Sequence, residues 1–286
     1  MRVVEECYRC LEGLIRKTAE LATADPDLMR KAAAAGMAVL DREFPRRPIP
    51  VRVAAAAQRA VREISGNADP FAAVKRREMA MAAGLVNEVT PLCGGGLAGL
   101  ITLSALGNAV DFFRDLAAVR HDIKGGLRFA RDERDLLARR LERSRVVLFL
   151  ADNAAEVYFD RPLVDYLSRR AEVVYAVKGG PVQNDLTVAD LKAAGIDREM
   201  KNIVTTGLDM PGLDLEAAPP EIKDAFAQAD LVIAKGMGNY ETLSEQAPTD
   251  KVFHVLMAKC ATVAGSLQVD VGSLVAVFGG RGSCDA

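Results

Sequence analysis

This 286-residue sequence predicts an α/β protein: a mainly helical N-terminal domain over residues 1–143, then an α/β domain over 144–286 on a doubly wound, mostly parallel, Rossmann-like sheet. Three observations carry the prediction. Up to about Arg143 the chain is a succession of alanine-rich amphipathic stretches. Beyond it, short apolar runs rich in β-branched residues alternate with helical stretches, the βαβ rhythm. Those runs lack the polar alternation of a half-solvated strand, so their sheet must be covered on both faces.

In the first half, Asp27–Leu40 and Val51–Ile64 show apolar residues at helical spacing with much alanine, the strongest helix former. Breaks fall at Pro45, Pro48 and Pro50, at GNADP (Gly66 to Pro70) and at the glycines Gly94 to Gly96 of CGGGLAGL. That glycine run follows no strand and carries no lysine, so it reads as a packing turn rather than an anion loop. No strand is expected before Arg143, and a charged helix Arg131–Arg143 closes the segment. The expected strands are Val146–Leu150, Val173–Val177, Asn202–Thr205, Leu231–Ala234, Val252–Leu256 and Leu274–Phe278. His254, inside an apolar run, reads as a hydrogen-bonded core residue.

Composition excludes several classes of function. Thirty-seven basic side chains stand against 39 acidic ones, a net charge of −2, so no global field draws nucleic acid or an anionic membrane. Aromatic residues are 5% with no tryptophan, which leaves few platforms for stacking bases. No stretch reaches the roughly 18 apolar residues of a membrane span. The opening MRVVEECYRCLEG lacks the basic start and apolar run of a secretory signal, so a cytoplasmic protein is expected. Five cysteines (Cys7, Cys10, Cys93, Cys260 and Cys284) at irregular spacing argue against a disulfide framework.

In a doubly wound sheet, ligands bind beyond the C-terminal ends of the strands, and here those ends are polar. The Val146 run leads into Asp152-Asn153-Ala154-Ala155-Glu156, and the Val173 run into Lys178-Gly179-Gly180 and on to Asp185. The Asn202 run ends at Thr206-Gly207, the Leu231 run at Lys235-Gly236-Met237-Gly238-Asn239-Tyr240-Glu241, and the Val252 run at Lys259. Neighbouring strands lie about 4.8 Å apart, so these loops can share one small site.

Asp152, Asn153 and Asp185 offer hard oxygen donors without clustered histidines or thiolates, a set suited to Mg²⁺ or Mn²⁺, with Co²⁺ or Ni²⁺ as further options. The two histidines, His121 and His254, cannot form a cluster. Lys235 and Lys259 are placed to neutralise charge on a transferring phosphoryl group, while Thr206, Gly207, Gly236 and Gly238 let backbone N–H groups approach phosphate. Glu156 and Glu241 are candidate groups for orienting ligands or water. No P-loop or dinucleotide fingerprint is present. The bland alternatives stay open at this point: Asp152 and Asn153 as helix caps, Lys178, Lys235 and Lys259 as solvated lysines, Asp190 as a first-turn acid, and Cys7 and Cys10 as small buried thiols one helical turn apart.

ADNAAEVYFD, KGGPVQNDLT and KGMGNYETL, taken in order with Cys7-Tyr8-Arg9-Cys10-Leu11, Asp69-Pro70-Phe71 followed by Lys75, and Gly107-Asn108-Ala109-Val110-Asp111-Phe112, resemble the DUF89 family of damage-control phosphatases, also called ARMT1-like. The resemblance spans nearly the whole chain, and the N-terminal CxxC matches the stand-alone microbial branch. It implies a helical domain packed on an α/β sheet and divalent-metal-dependent hydrolysis of small phosphorylated metabolites. It also implies metal ligands at Asp152, Asn153 and Asp185, with Lys235, Asn239, Glu241 and Lys259 as other polar positions facing the site. Three positions depart from the family pattern: Ala155 replaces a glycine, Met79 an asparagine and Met257 a lysine.

Two other readings compete. One is a metabolite-binding or regulatory protein that keeps the metal-phosphate pocket with little turnover. The other is an S-adenosylmethionine-dependent methyltransferase, which needs a glycine-rich first loop and an acid for the ribose; Ala151–Glu156 supplies the acid without the glycines. The sequence leaves open the metabolite, a water or carboxylate nucleophile, and the oligomeric state.

Overall fold

A computed structural model describes residues 1–109, 128–246 and 250–279. Val110, Asp111, Phe112, His121 and Cys284, all named above, lie outside the described residues. Helices α1 (Glu5–Ala22), α2 (Pro26–Glu43) and α3 (Pro50–Ser65) form a layer with its own core, in which Leu11, Ile15, Ala19, Leu40, Ala57 and Val61 interlock. Their ends follow local chemistry. The Asp25 carboxylate accepts the N–H groups of Asp27 and Leu28, Pro26 and Pro50 open their helices, and Gly66 closes α3 at φ 69°.

Helices α4 (Ala72–Val89) and α5 (Gly96–Ala109) follow. In CGGGLAGL the glycine run itself is exposed, with open space where Cβ atoms would stand and positive φ at Gly94 and Gly96, so it is an exposed turn rather than the packing turn expected. The close approach comes at Gly99, where a Cβ would collide with the Gly94 carbonyl. Then come β1 (Phe129–Asp132), α6 (Arg134–Leu141), β2 (Val146–Leu150), α7 (Val157–Ser168), β3 (Glu172–Val177), α8 (Val188–Ala193) and β4 (Ile203–Thr205). The chain continues through α9 (Pro220–Gln228), β5 (Leu231–Lys235), α10 (Gly236–Gln246), β6 (Val252–Met257), α11 (Ala261–Leu267) and β7 (Leu274–Phe278).

The seven strands form one sheet in the order β1-β7-β6-β5-β2-β3-β4, parallel throughout except where β6 meets β7. Side chains alternate between two buried faces. Val147, Phe149, Leu231, Ile233, Phe253 and Val255 pack with α5, α6 and α7, whereas Leu148, Leu150, Val232 and Ala234 pack with Ile222 and Phe226 of α9 and Leu243 of α10. Burial on both faces explains why these strands read as continuous apolar runs. Among the described residues no helix is long and apolar enough to cross a membrane.

Two expectations are corrected. A strand does precede Arg143: β1 pairs with β7, and the charged helix begins at Arg134 rather than Arg131. As a sheet edge only half covered, FARD never shows the apolar run that marks an inner strand. His254 is a core residue but not a hydrogen-bonded one, since neither ring nitrogen has a partner; its ring meets Tyr240 edge-on at 5.2 Å.

Candidate functional site

The loops after β2 and β3 are zipped together. The Leu186 N–H donates to the Asp152 carbonyl at 2.8 Å, the Ala154 N–H to the Asn184 carbonyl at 2.8 Å, and Asn153 forms an isolated antiparallel bridge with Asp185. This places Asp152 and Asp185, 8% and 2% exposed, on the wall of one cavity of about 610 Å³. The sheet side of that cavity also supplies Asn153, Gln183, Asn184, Gly238, Glu241 and Lys259. The helical layer supplies Cys7, Cys10, Leu11, Leu14, Val51 and Ala54.

The roof is fastened by polar contacts from α3. Arg52 makes a two-pronged pair with Asp214 at 2.6 and 2.9 Å, Arg59 and Arg62 both hold Asp209, and the Gln58 side chain accepts the Gln183 N–H at 3.1 Å.

Asn153 sits at the N-cap of the short 3₁₀ helix Ala154–Glu156, but its side chain makes no capping bond. Its amide instead donates to Glu156 Oε1 at 2.7 Å and Asp152 Oδ2 at 3.2 Å. Asn108 of α5 reinforces both contacts, donating to Glu156 Oε1 at 2.8 Å and Asp152 Oδ2 at 3.1 Å while its carbonyl accepts the Met257 N–H at 3.1 Å. Asn108 was quoted above only as part of a motif. Its role follows from the packing of α5 against the β2 loop, which no local spacing reveals. The Met257 contact uses backbone, so any side chain supplies it.

Behind Asp152 lies a buried charge cluster. The Lys235 ammonium donates to Glu156 Oε2 at 2.6 Å, Asp160 Oδ1 at 2.7 Å and the Ser104 carbonyl at 3.0 Å. Its three donors are spent there, and Lys235 does not line the cavity. Asn239 is likewise interior, donating to the Lys235 carbonyl at 2.8 Å and accepting the Leu213 N–H at 2.9 Å. Thr206 bonds within its own turn to Leu208, Gly207 packs on Pro219, and neither reaches the cavity. Gly236 abuts Asp152, and Glu156 stands behind it. Of the candidate residues, the cavity wall therefore gathers Asp152, Asn153, Asp185, Gly238, Glu241 and Lys259.

Lys178 braces the second carboxylate: its ammonium donates to the Ala151 carbonyl at 3.0 Å and lies 3.3 Å from Asp185 Oδ2. Asp190 accepts from the Thr187 N–H and hydroxyl at the start of α8 and pairs with fully buried Lys75 at 2.9 Å, which also holds Asp69. Met79 is buried in the core beside α5, away from the cavity. Cys7 and Cys10, expected as buried thiols, are half-buried and exposed and face the cavity.

Crowded acids in a desolvated wall resist ionisation. Burial, with the charges of Glu156 and Asp185, pushes Asp152 up to about 8. Burial raises Asp185 to about 6 against the pull of Lys178, and burial raises Glu241 to about 7. Glu156 also feels burial, yet the Lys235 charge holds it below the ordinary carboxylate value.

Asp185 Oδ2 is buried without a hydrogen bond despite the nearby lysine. The Asn153 amide nitrogen is engaged, which leaves its carbonyl oxygen to a ligand. Two neighbouring carboxyl groups and an amide oxygen suit a hard divalent cation. Among the described residues no three acidic, thiol or imidazole side chains form a ready-made cage, so such a cation would take its remaining ligands from water or substrate.

The model of the damage-control phosphatase ARMT1-like domain matches residues 3–275. Damage-control phosphatase PH1575 of Pyrococcus horikoshii is 32% identical over 282 residues, covering 96% of this chain and 97% of that protein. A damage-control phosphatase of Archaeoglobus fulgidus is 32% identical over 295 residues, covering 96% and 99%. The crystal structure of the DUF89 family protein PH1575 superposes with a TM-score of 0.90 at 31% identity, covering 98% of this chain and all of that one. This chain belongs to the damage-control phosphatase ARMT1-like family.

Proposed function

We propose that this protein is a divalent-metal-dependent hydrolase of phosphate monoesters of small metabolites, with Mg²⁺ or Mn²⁺ as cofactor. The observation that carries the reading is the pair Asp152 and Asp185 on one cavity wall at the strand ends, together with Asn153. The names of the relatives support a phosphatase role. A cation held by Asp152, Asn153 and Asp185 supplies Lewis-acid polarisation of a phosphoryl oxygen and a more acidic bound water.

The chain's own residues do the rest. Asn108 and Asn153 fix the Asp152 carboxylate by donating to its Oδ2. Lys178 holds Asp185 from behind. Lys235 acts through Glu156 as a positioning residue, while Lys259 and Glu241, on the cavity wall, meet the phosphate and the remainder of the substrate. The roof of α1 and α3 shelters the bound ester from bulk water.

The test is phosphate release from a panel of phosphorylated metabolites by metal-stripped protein with Mg²⁺, Mn²⁺, Co²⁺ or Ni²⁺ restored singly. Metal-dependent turnover lost in folded Asp185→Asn supports the assignment; full turnover without metal, or in that variant, overturns it.

A further inference from the structure

Three thiols on the cavity wall have no part in the chemistry above. Cys7 and Cys10 come from one face of the first turns of α1, and Cys260 immediately precedes α11; all three line the cavity that Asp152 and Asp185 share. Remote in sequence, the two segments are fastened to each other where the Thr262 hydroxyl donates to the Glu6 carboxylate. Lys259, the neighbour of Cys260, lies on the same wall.

The environments of the thiols differ. Cys7 sits in the first turn of an 18-residue helix, and its sulfur accepts the Val4 N–H at 3.5 Å. Partial desolvation against the cavity wall raises the Cys10 thiol although its outer side is exposed, and burial raises that of Cys260, with Glu241 adding to it.

We propose that Cys260 and the Cys7–Cys10 pair form a redox-modification site at which a peroxide-class oxidant creates a disulfide from α1 to the loop carrying Lys259. The Cys7 thiolate attacks the O–O bond, giving a sulfenic acid and hydroxide. The Cys260 thiol then attacks that sulfur, and its proton leaves with the sulfenic oxygen as water. In sum, two thiols and one hydrogen peroxide give one disulfide and two waters. Cys10, one turn along the same face, can take over the bond by thiol exchange. The cross-link ties the roof to the floor at the cavity mouth and fixes Lys259, so the oxidised form turns over more slowly. This last consequence rests on the proposed phosphatase function.

The experiment treats the full chain with hydrogen peroxide, blocks free thiols and maps tryptic peptides by mass. Cleavage after Arg9 separates Cys7 from Cys10, and cleavage after Lys259 puts Cys260 at the head of its own peptide. The expected product joins the Cys260 peptide to Val3–Arg9 or Cys10–Arg16 and is released by dithiothreitol. Recovery of Cys260 fully alkylated, or a bond only between Cys7 and Cys10, overturns the site.

In the second arm, oxidised protein should release phosphate about tenfold or more slowly than its own reduced form, as expected for a misplaced site group. In Cys260→Ser that ratio should return to near one. Cross-linking without slower turnover overturns the regulatory consequence. The mapping needs no turnover, so a cross-linked but phosphatase-inactive protein sinks the proposed function and leaves the thiol site standing.

Discussion

Gly236 and Asp152 meet so closely that position 236 has no room for a side chain: a Cβ there would stand 1.9 Å from Asp152 Oδ2. Gly236 also holds φ 74°, at the turn from β5 into α10, where an L-residue is strained. Gly236→Ala should cost on the order of 1–3 kcal/mol of stability for the backbone alone. It should also lower turnover by about a hundredfold by displacing Asp152. Urea unfolding and metal-dependent phosphate release check both. Wild-type turnover in the variant would show that the Asp152 position is not critical.

Asp152, raised to about 8, and Asp185, raised to about 6, lead to a pH dependence of metal binding. At neutral pH the metal-free protein keeps a proton on Asp152, which a cation must displace. Affinity for Mn²⁺ should therefore fall as pH drops from 8 through 6, by up to about tenfold per pH unit for each proton released. Titration calorimetry in buffers of different ionisation enthalpy measures that proton directly. An affinity flat from pH 6 to 8, with no proton released, would contradict this arrangement.

Lys235 is fully buried between Glu156 and Asp160. Lys235→Met leaves two desolvated carboxylates facing each other, and removing one partner of a buried pair costs about 3–5 kcal/mol. The unfolding midpoint should drop sharply. Unchanged stability with lost turnover would instead place the ammonium on the substrate.

How much of this was legible in the sequence depends on where each contact comes from. The inner strands were readable because burial on both faces leaves an uninterrupted apolar run, as in Val146–Leu150. The half-covered edge strand β1 was not. Asp152, Asn153 and Asp185 share a wall because they follow adjacent strands β2 and β3, an order the βαβ rhythm implies. Lys235 ends adjacent β5, equally close to the site in sequence, yet its long side chain turns inward to Asp160 of α7. The bonds of Asn108 to Asp152, and the contact of Thr262 with Glu6 of α1, depend on packing between segments far apart in the chain. No local pattern encodes them.

His254 gives the last prediction. Both ring nitrogens are buried without partners, and burial holds its pKa down to about 4 from the ordinary 6.5. The unfolded chain therefore takes up a proton below pH 6.5, while the folded chain refuses it until about pH 4. The contribution is fully present above pH 6.5 and lost as pH falls toward 4, in all roughly 3 kcal/mol. Acids such as Asp185 also titrate in this range, so the wild-type profile alone does not isolate the histidine. His254→Leu, close in size and without unbonded nitrogens, leaves those acids in place, so the difference between the two stability profiles reports the histidine. That difference should be flat from pH 8 to 6.5 and then favour the leucine variant increasingly down to pH 4. Parallel profiles across the range would mean that the imidazole finds a partner or a proton inside the sheet.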